Sequence, residues 1–474
     1  MKATILIGDV LARLKDIPDG SVQTCVTSPP YWGLRSYSTD PQIWGGDPLC
    51  QHEWVEWIKP AAEGTLTLDG NSALRAGHQG SVSATMRPTI SNFCNICEAW
   101  KGELGLEPTP QMFVEHIVLV FRDIKRVLRD DGTIWLNLGD SYTGSGKGGN
   151  PEAGKQATNK GSQTVGVLYG KTGERQREVA QTNVTRNYDA IPPKNLVGIP
   201  WRVAFALQDD GWILRQDIIW HKPGPMPESM TDRCTKAHEY VFLLSKKPQY
   251  FFDNIAISED AVNAGKTVSL GEKSFSKGQA NGLGIKPSGN GTKDTYEVVA
   301  KRNKRTVWTI SSGGYDEAHF AVYPEALVEP CILAGTSEHG ACPECGSPYK
   351  RIMQKTGWPD PENIEDDQGR MKASGEIATD TQRRKELSGA KHAAFKAANP
   401  DVLLGWEPTC KCVSDKPLKP CLVLDPFCGS GTTGVVSLRY HRDFVGVELN
   451  PEYASMAERR IGNEAPMFNE VEVK

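Results

Sequence analysis

The run Leu422-Val423-Leu424-Asp425-Pro426-Phe427-Cys428-Gly429-Ser430-Gly431 constrains the fold more than any other stretch of this chain. Apolar residues make a short buried strand, an acidic residue ends it, and two glycines permit a tight turn into a helix. A strand that turns straight into a helix belongs to a parallel sheet, because parallel neighbours need a crossover between them. The same alternation recurs along the sequence. Strands are expected at 3–8, 22–26, 133–138, 212–220, 240–244, 421–424 and 444–447. Helices are expected at 10–16, 110–129, 195–208, 324–333, 432–440 and 451–462. In the second helix Phe113, Ile117, Val120, Ile124 and Val127 repeat at helical spacing, and Asp130-Asp131-Gly132 is expected to stop it. The fold class is therefore α/β, a mostly parallel, doubly wound sheet.

Four stretches break this rhythm: 33–108, 143–190, 256–305 and 336–419. They are too long for plain connections, so they read as functional insertions. A chain of 474 residues suits one α/β core carrying such insertions. No run of 18 apolar residues occurs, so no transmembrane helix and no membrane partner are expected. The opening Met1-Lys2-Ala3-Thr4-Ile5-Leu6-Ile7 is strand-like and unlike a signal peptide, which points to a cytosolic protein. A net charge of −4 does not advertise a polyanion partner, but local patches matter more than the total. Residues 143–190 and 256–305 are basic, and the second ends in Lys301-Arg302-Asn303-Lys304-Arg305.

Twelve cysteines in a cytosolic chain do not make a disulfide framework. Cys50, His52, Cys94 and Cys97 have the spacing of a Cys₃His metal site, and Cys342, Cys345, Cys410 and Cys412 that of a Cys₄ site. Each set fills a tetrahedral zinc with no open position, so two structural zinc ions are expected, standing in for a core the Gly-rich insertions lack. Cys25, Cys234, Cys331, Cys421 and Cys428 stand alone and read as small packing residues. Trp201, Trp212 and Trp220 are expected to pack the sheet, and Asp140-Ser141-Tyr142 ends a strand on the expected ligand face, with a pocket role the less favoured reading.

The chemistry concentrates at two strand ends. After strand 22–26 comes Thr27-Ser28-Pro29-Pro30-Tyr31-Trp32. Consecutive prolines fix φ near about −65° and hold their neighbours' acceptors rigid. A hydroxyl and a backbone carbonyl so held can accept both hydrogens of an exocyclic base amine and draw its lone pair out of conjugation. The aromatic that follows can stack on a base taken out of a duplex. At the other strand end the glycine turn is read as short of the full G-x-G-x-x-G fingerprint, and Glu448 closes the next strand, placed for ribose hydroxyls. An adenosine bearing a sulfonium fits such a turn.

Ser28-Pro29-Pro30-Tyr31 and Asp425 to Gly431, in that order, resemble the motifs of the β arrangement of DNA amino-methyltransferases. The resemblance implies a Rossmann-like methyltransferase sheet with circularly permuted motif order and S-adenosylmethionine as cofactor. Ser28, Pro29, Pro30 and Tyr31 are then the catalytic loop. Asp9 lies near the cofactor adenine, and His319, Phe320 and Pro324 form the methionine-side segment, with Phe320 and Tyr323 departing from the family's usual residues. Asp425, Pro426, Phe427, Gly429, Ser430, Gly431, Thr432 and Glu448 complete the cofactor site. Ser28, where adenine-modifying members carry Asp, implies N4 of cytosine in double-stranded DNA; N6 of adenine is the alternative. A zinc-bearing DNA-binding protein with an inactive core is the second alternative. A C5-cytosine enzyme is disfavoured, since Pro330-Cys331 falls in an expected helix and Pro420-Cys421 at a strand start.

The expected organisation follows. Residues 1–32, 109–142 and 191–255 form the catalytic half, and 306–335 with 420–465 the cofactor half. The zinc insertions are 33–108 and 336–419. Residues 143–190 are a flexible basic insertion, and 256–305 recognise DNA, with phosphate contacts from Lys301, Arg302, Lys304 and Arg305. A cognate restriction endonuclease is an expected partner, in the cytoplasm of a prokaryotic or phage-infected cell.

Overall fold

The computed structural model describes residues 1–34, 36–37, 39–57, 89–143, 191–192, 194–225, 227–228, 230–260, 267–269, 295–297, 301–312, 323–354, 401–464 and 470–474. They form two compact units: Met1–Ser28, Ile124–Asn137 and Gly211–Lys474 in the first, Pro29–Asp123 and Leu138–Asp210 in the second. Residues 144–190, most of 261–300, and His319 and Phe320 lie outside the described residues.

The first unit is built on a nine-stranded sheet. Its strands are β1 (Lys2–Ile7), β2 (Val22–Thr27), β3 (Leu128–Leu138), β4 (Ile213–His221), β5 (His238–Ser245), β6 (Val307–Thr309), β7 (Leu422–Asp425), β8 (Asp443–Glu448) and β9 (Glu470–Val473). The spatial order is β6-β4-β5-β3-β2-β7-β8-β1-β9. From β3 through β9 every pairing is parallel, while β4 and β5 run antiparallel. Sequence neighbours β1 and β2 are separated in space by β7 and β8, which arrive some 400 residues later. That is the permuted, doubly wound order the motif sequence implied.

Burial explains the placement. All six residues of β2 are buried, as a strand covered on both faces requires. Its polar residues are each satisfied: Gln23 bonds Gly346 O and Leu422 N, Thr24 bonds Thr133, and Thr27 bonds Asp425. The helices are α1 (Val10–Arg13), α2 (Pro110–Val127), α3 (Ile199–Asp209), α4 (Glu325–Gly335), α5 (Thr432–Arg439) and α6 (Pro451–Glu464). Helix α2 begins where the sequence says: Thr109 Oγ1 accepts from Met112 N at 3.2 Å, and Phe113, Ile117, Val120, Ile124 and Val127 are fully buried.

Some expectations need correction. The Asp130-Asp131-Gly132 segment is not a stop between helix and strand; β3 starts at Leu128 and runs through it, held by Phe251 N to Asp131 O at 2.8 Å. The predicted irregular stretch 33–108 contains a four-stranded antiparallel sheet, Gln42–Trp44, Trp54–Trp57, Thr89–Cys94 and Trp100–Gly102. The stretch 336–419 contains a hairpin of Tyr349–Gln354 with Val402–Pro408. Cys234 is exposed, whereas Cys25, Cys331, Cys421 and Cys428 are buried as expected. Trp212 and Trp220 are buried, but Trp201 is only half-buried and leans on Phe205 of its own helix.

Candidate active site

Ligands of open α/β sheets sit beyond the carboxyl ends of the strands, where the strand order reverses. Four adjacent strands of the first unit, β2, β7, β8 and β1, end in Thr27-Ser28, Asp425, Glu448 and Gly8-Asp9. With strands about 4.8 Å apart, these four groups form a row about 15 Å long. Residues distant in sequence are thus neighbours by topology alone.

The turn after β7 is organised from beneath. Asp425 is fully buried. Its Oδ1 accepts from Thr27 Oγ1 at 2.7 Å and from Phe427 N at 3.1 Å. Its Oδ2 accepts from Tyr323 OH at 2.8 Å and from Thr433 Oγ1 at 2.7 Å. Burial pushes the Asp425 pKa up, and these donors pull against that shift. Both oxygens are engaged by the protein, so the role of Asp425 is to shape the turn. Tyr323, one of the departures from the family pattern, here gains a purpose, since its hydroxyl supplies one of the four donors. Burial drives its own pKa well up, so it remains a phenol.

The glycines follow from geometry. Gly431 N-caps α5 at φ +82°, and a Cβ there would stand 2.8 Å from Ala457 Cβ. The expectation that the turn falls short of the dinucleotide fingerprint is corrected by the chain itself: Gly429, Gly431 and Gly434 keep the G-x-G-x-x-G spacing. The spacing therefore does not separate a dinucleotide from an adenosine. Arg460 of α6, which sequence reasoning missed, clamps the turn through Ser430 O at 2.8 Å, Ser430 Oγ at 2.7 Å and Thr432 Oγ1 at 3.2 Å. Its only sequence signal is a basic residue in the helix after Glu448.

Glu448 is half-buried and reaches back over the turn. Its Oε2 accepts from Gly429 N at 2.7 Å and its Oε1 from Asn450 N at 2.9 Å. Desolvation raises its pKa despite these bonds. On the neighbouring strand Asp9 caps α1 by accepting from Ala12 N at 3.0 Å. Pro324 precedes α4.

Ser28 stands at the other end of the row. Its Oγ donates to Asn137 Oδ1 at 3.2 Å. Asn137, nearly buried at the end of β3, donates through Nδ2 to Tyr240 O at 3.0 Å and to Glu239 Oε2 at 3.3 Å. Those two acceptors fix the amide, so its oxygen faces Ser28 and the serine proton points toward Asn137. Glu239 is in turn ion-paired with Lys222, whose Nζ lies 4.2 Å from the centre of the Trp220 ring. Sequence reasoning did not single out Asn137; it lies inside an apolar strand, and only the sheet order brings it to Ser28.

In the second unit the residues that follow Ser28 are braced from within. The Tyr31 ring packs against Gly139, where a Cβ would approach it to 2.4 Å. Gly105, at φ +93°, comes against Tyr31 O and Pro30. Trp32 is buried, with Nε1 donating to Glu107 O at 3.0 Å, and Glu107 also bonds His116 at 3.0 Å. Asp140 accepts from Gly198 N and Ile199 N at the start of α3 and so caps that helix.

The basic run is partly neutralised within its own unit. Lys301 pairs with Asp260 at 2.7 Å, Arg302 with Glu259 at 3.0 Å and Arg305 with the same Glu259 at 2.6 Å. Lys304 lies over Trp308. Both cysteine groups assemble as the spacing implied: within each, all four ligand atoms lie within 4.8 Å of one another.

The family profile described as DNA methylase, of N6 and N4 type, matches residues 22–342 and 413–459. The chain is 29% identical over 462 residues to the Type II methyltransferase M.Cfr9I of Citrobacter freundii, covering 98% of this chain and 88% of that protein. It is 29% identical over 457 residues to the Type II methyltransferase M.SmaI of Serratia marcescens, covering 96% and 90%. Among solved structures it is similar to a PvuII DNA methyltransferase described as cytosine-N4-specific, at 14% identity, a TM-score of 0.41, and coverage of 97% and 86%.

Proposed function

The chain belongs to the N6/N4 DNA methylase family, and from that premise we propose that it transfers a methyl group from S-adenosylmethionine to N4 of a cytosine turned out of double-stranded DNA. The observation that carries this reading is the direction of the Ser28 proton. A hydroxyl whose hydrogen is engaged by Asn137 meets an incoming amine as an acceptor, not as a donor. A cytosine amine is a weak nucleophile until its lone pair leaves conjugation with the ring. Ser28 Oγ and one backbone carbonyl of the proline loop each accept one of its two hydrogens and favour that change. Tyr31, braced on Gly139, offers an aromatic face to the extruded base.

S-adenosylmethionine, when bound, supplies a methyl group on an electrophilic sulfonium. Glu448 accepts from the ribose hydroxyls, Asp9 approaches the adenine, and Phe427 stacks near it. Gly429, where a Cβ would meet open space, allows the backbone to come close, and Gly431 and Pro324 shape the segments beside it. Most of the rate comes from positioning, and no metal or covalent intermediate is required. Choice of cytosine over adenine rests on Ser28 in place of an acidic residue.

Lys301, Arg302, Lys304 and Arg305 contact phosphates, the two arginines exchanging Glu259 for the backbone of the DNA. If replacing all four leaves the salt dependence of DNA affinity unchanged, that assignment falls. The names of the relatives, Type II methyltransferases, support a cognate restriction endonuclease as partner and a cytoplasmic site of action. Among the described residues no helix is long and apolar enough to cross a membrane.

The test is nucleoside mass spectrometry on DNA from cells expressing the protein beside a Ser28→Ala control. N4-methylcytosine found only with the intact protein is the expected result. N6-methyladenine in its place overturns the base assignment while keeping the reaction. No modified base in either sample removes the support for catalysis and favours a DNA-binding role.

A further inference from the structure

Both cysteine groups lie apart from the transfer chemistry, and they repeat one local design. Cys94-Asn95-Ile96-Cys97 is followed by Glu98 at φ +59°, and Cys342-Pro343-Glu344-Cys345 by Gly346 at φ +72°. In each, the residue after the second cysteine donates its N–H to the carbonyl of the first, at 3.0 Å for Glu98 and 2.9 Å for Gly346. A left-handed backbone is natural for glycine, but Glu98 holds it against its side chain's preference. Such a knuckle aims two sulfurs at one point and turns backbone N–H groups toward them. Ile96 N donates to Cys94 Sγ at 3.4 Å.

The second half of each set arrives from far away in sequence. Cys50 Sγ lies 3.9 Å from Cys94 Sγ, and His52 Nδ1 lies 3.3 Å from Cys97 Sγ. A tetrahedral zinc with Zn–S bonds of about 2.3 Å sets neighbouring ligand atoms about 3.8 Å apart. The observed spacings fit that geometry. Four thiols gathered with no ion between them would gain nothing that explains such convergence. One set is three sulfurs and an imidazole nitrogen and the other four sulfurs, both suited to a borderline-soft d¹⁰ ion. Neither leaves a ligand position open, which excludes a hydrolytic or Lewis-acid role.

The places they occupy give their purpose. The Cys₃His set ties the strand Thr89–Cys94 to the segment before Trp54–Trp57 within the small sheet of the second unit. The Cys₄ set closes the base of the hairpin Tyr349–Gln354 with Val402–Pro408 in the first unit. Arg129 donates to Cys345 O and to Ser347 Oγ beside that set, bringing a cation to a cluster that is anionic when loaded. We propose that this chain binds two zinc ions, one in each set, as covalent staples that fix these two insertions.

The test is metal analysis of the full-length protein, purified without chelator. The expected content is two zinc ions per chain, falling to one in Cys97→Ser and to one in Cys412→Ser. Should either serine variant fail to fold, Cys97→His retains four ligands and is expected to keep two. Thiol blocking of the intact protein with a mercurial, followed by a chromogenic chelator, is expected to release both ions. Iron in place of zinc overturns the identity of the metal. A chain with fewer than one metal and free thiols, or with disulfides inside either set on peptide mapping, overturns the sites. An unchanged count in both serine variants does the same.

Discussion

The loops after β7 and β2 are built by opposite means. The β7 turn is pinned from below by a fully buried carboxylate with four donors and from the side by Arg460. At the start of the β2 loop Ser28 Oγ donates to a neutral amide, Asn137. The first is a device for shape, since its carboxyl group is buried among four protein donors. In the proposed function the second is a device for electron supply, since an acceptor is useful only if its own hydrogen is elsewhere. Damage should therefore separate the two: changes in the β7 turn should weaken stability and cofactor affinity together, while changes around Ser28 should slow transfer alone.

The largest effect tests the second half of that contrast. Ser28→Ala removes the acceptor for the amine, and the transfer rate is expected to fall about 10³-fold, with cofactor affinity unchanged. Single-turnover transfer of a labelled methyl group, beside cofactor titration, measures both. Equal loss of rate and affinity would merge the two loops into one structural unit. Next comes Asp425→Ala. It leaves Thr27, Thr433 and Tyr323 hydroxyls buried without their acceptor, and destabilisation of about 3 kcal/mol is expected. Urea unfolding reads that loss, and cofactor affinity should fall with it. Unchanged stability would mean that the turn is held mainly by Arg460.

How much of this contrast the sequence carried depends on the range of the interactions involved. The β7 turn was legible because strand, acid, glycines and helix are consecutive, and each glycine answers a local backbone demand at Gly429 and Gly431. The Thr27 to Trp32 run is likewise consecutive in sequence. The cysteine sets were legible through ligand spacing, since each half is a short pattern. Asn137 and Arg460 were not, because their roles arise only when the sheet order sets β3 beside β2 and α6 beside the turn. The small sheet around Trp100 was missed because its strands are three to six residues long and carry no clear alternation. The contacts of Asp140 were not legible for a related reason: its partners, Gly198 and Ile199, lie some 60 residues on. Sequence range, more than chemistry, divided what could be read from what could not.

Asn137→Ala sharpens the comparison at intermediate size. Ser28 keeps its hydroxyl but loses the acceptor that directs its proton, so some fraction of encounters presents a donor to the amine. The rate is expected to fall about tenfold, equivalent to about 1.4 kcal/mol of transition-state stabilisation, with KM for DNA little changed. Steady-state kinetics on an oligonucleotide carrying the target site would show it. A change in KM alone, with kcat intact, would mean that Asn137 shapes the DNA site and does not orient the serine.

The smallest effect concerns Glu448 and pH. Desolvation raises its pKa above the ordinary 4.5, so the native protein takes up a proton there more readily than the unfolded chain. Its ionised form is thus a cost to folding at neutral pH, relieved as pH falls through the raised pKa. Its service to the proposed site runs the other way, because the carboxylate accepts from both Gly429 and Asn450 N–H and, in the proposed function, from ribose hydroxyls as well. Cofactor affinity is therefore expected to weaken as pH drops toward that pKa from above, while the fold holds. Glu448→Gln fixes a neutral acceptor in place and is expected to cost about threefold to tenfold in affinity at neutral pH, in keeping with loss of one charge-assisted hydrogen bond. It should also flatten the acid limb of the affinity profile measured by calorimetry. If the limb persists in Glu448→Gln, the titrating group is Asp425 beneath the turn, and the shape device would itself be the source of the pH dependence.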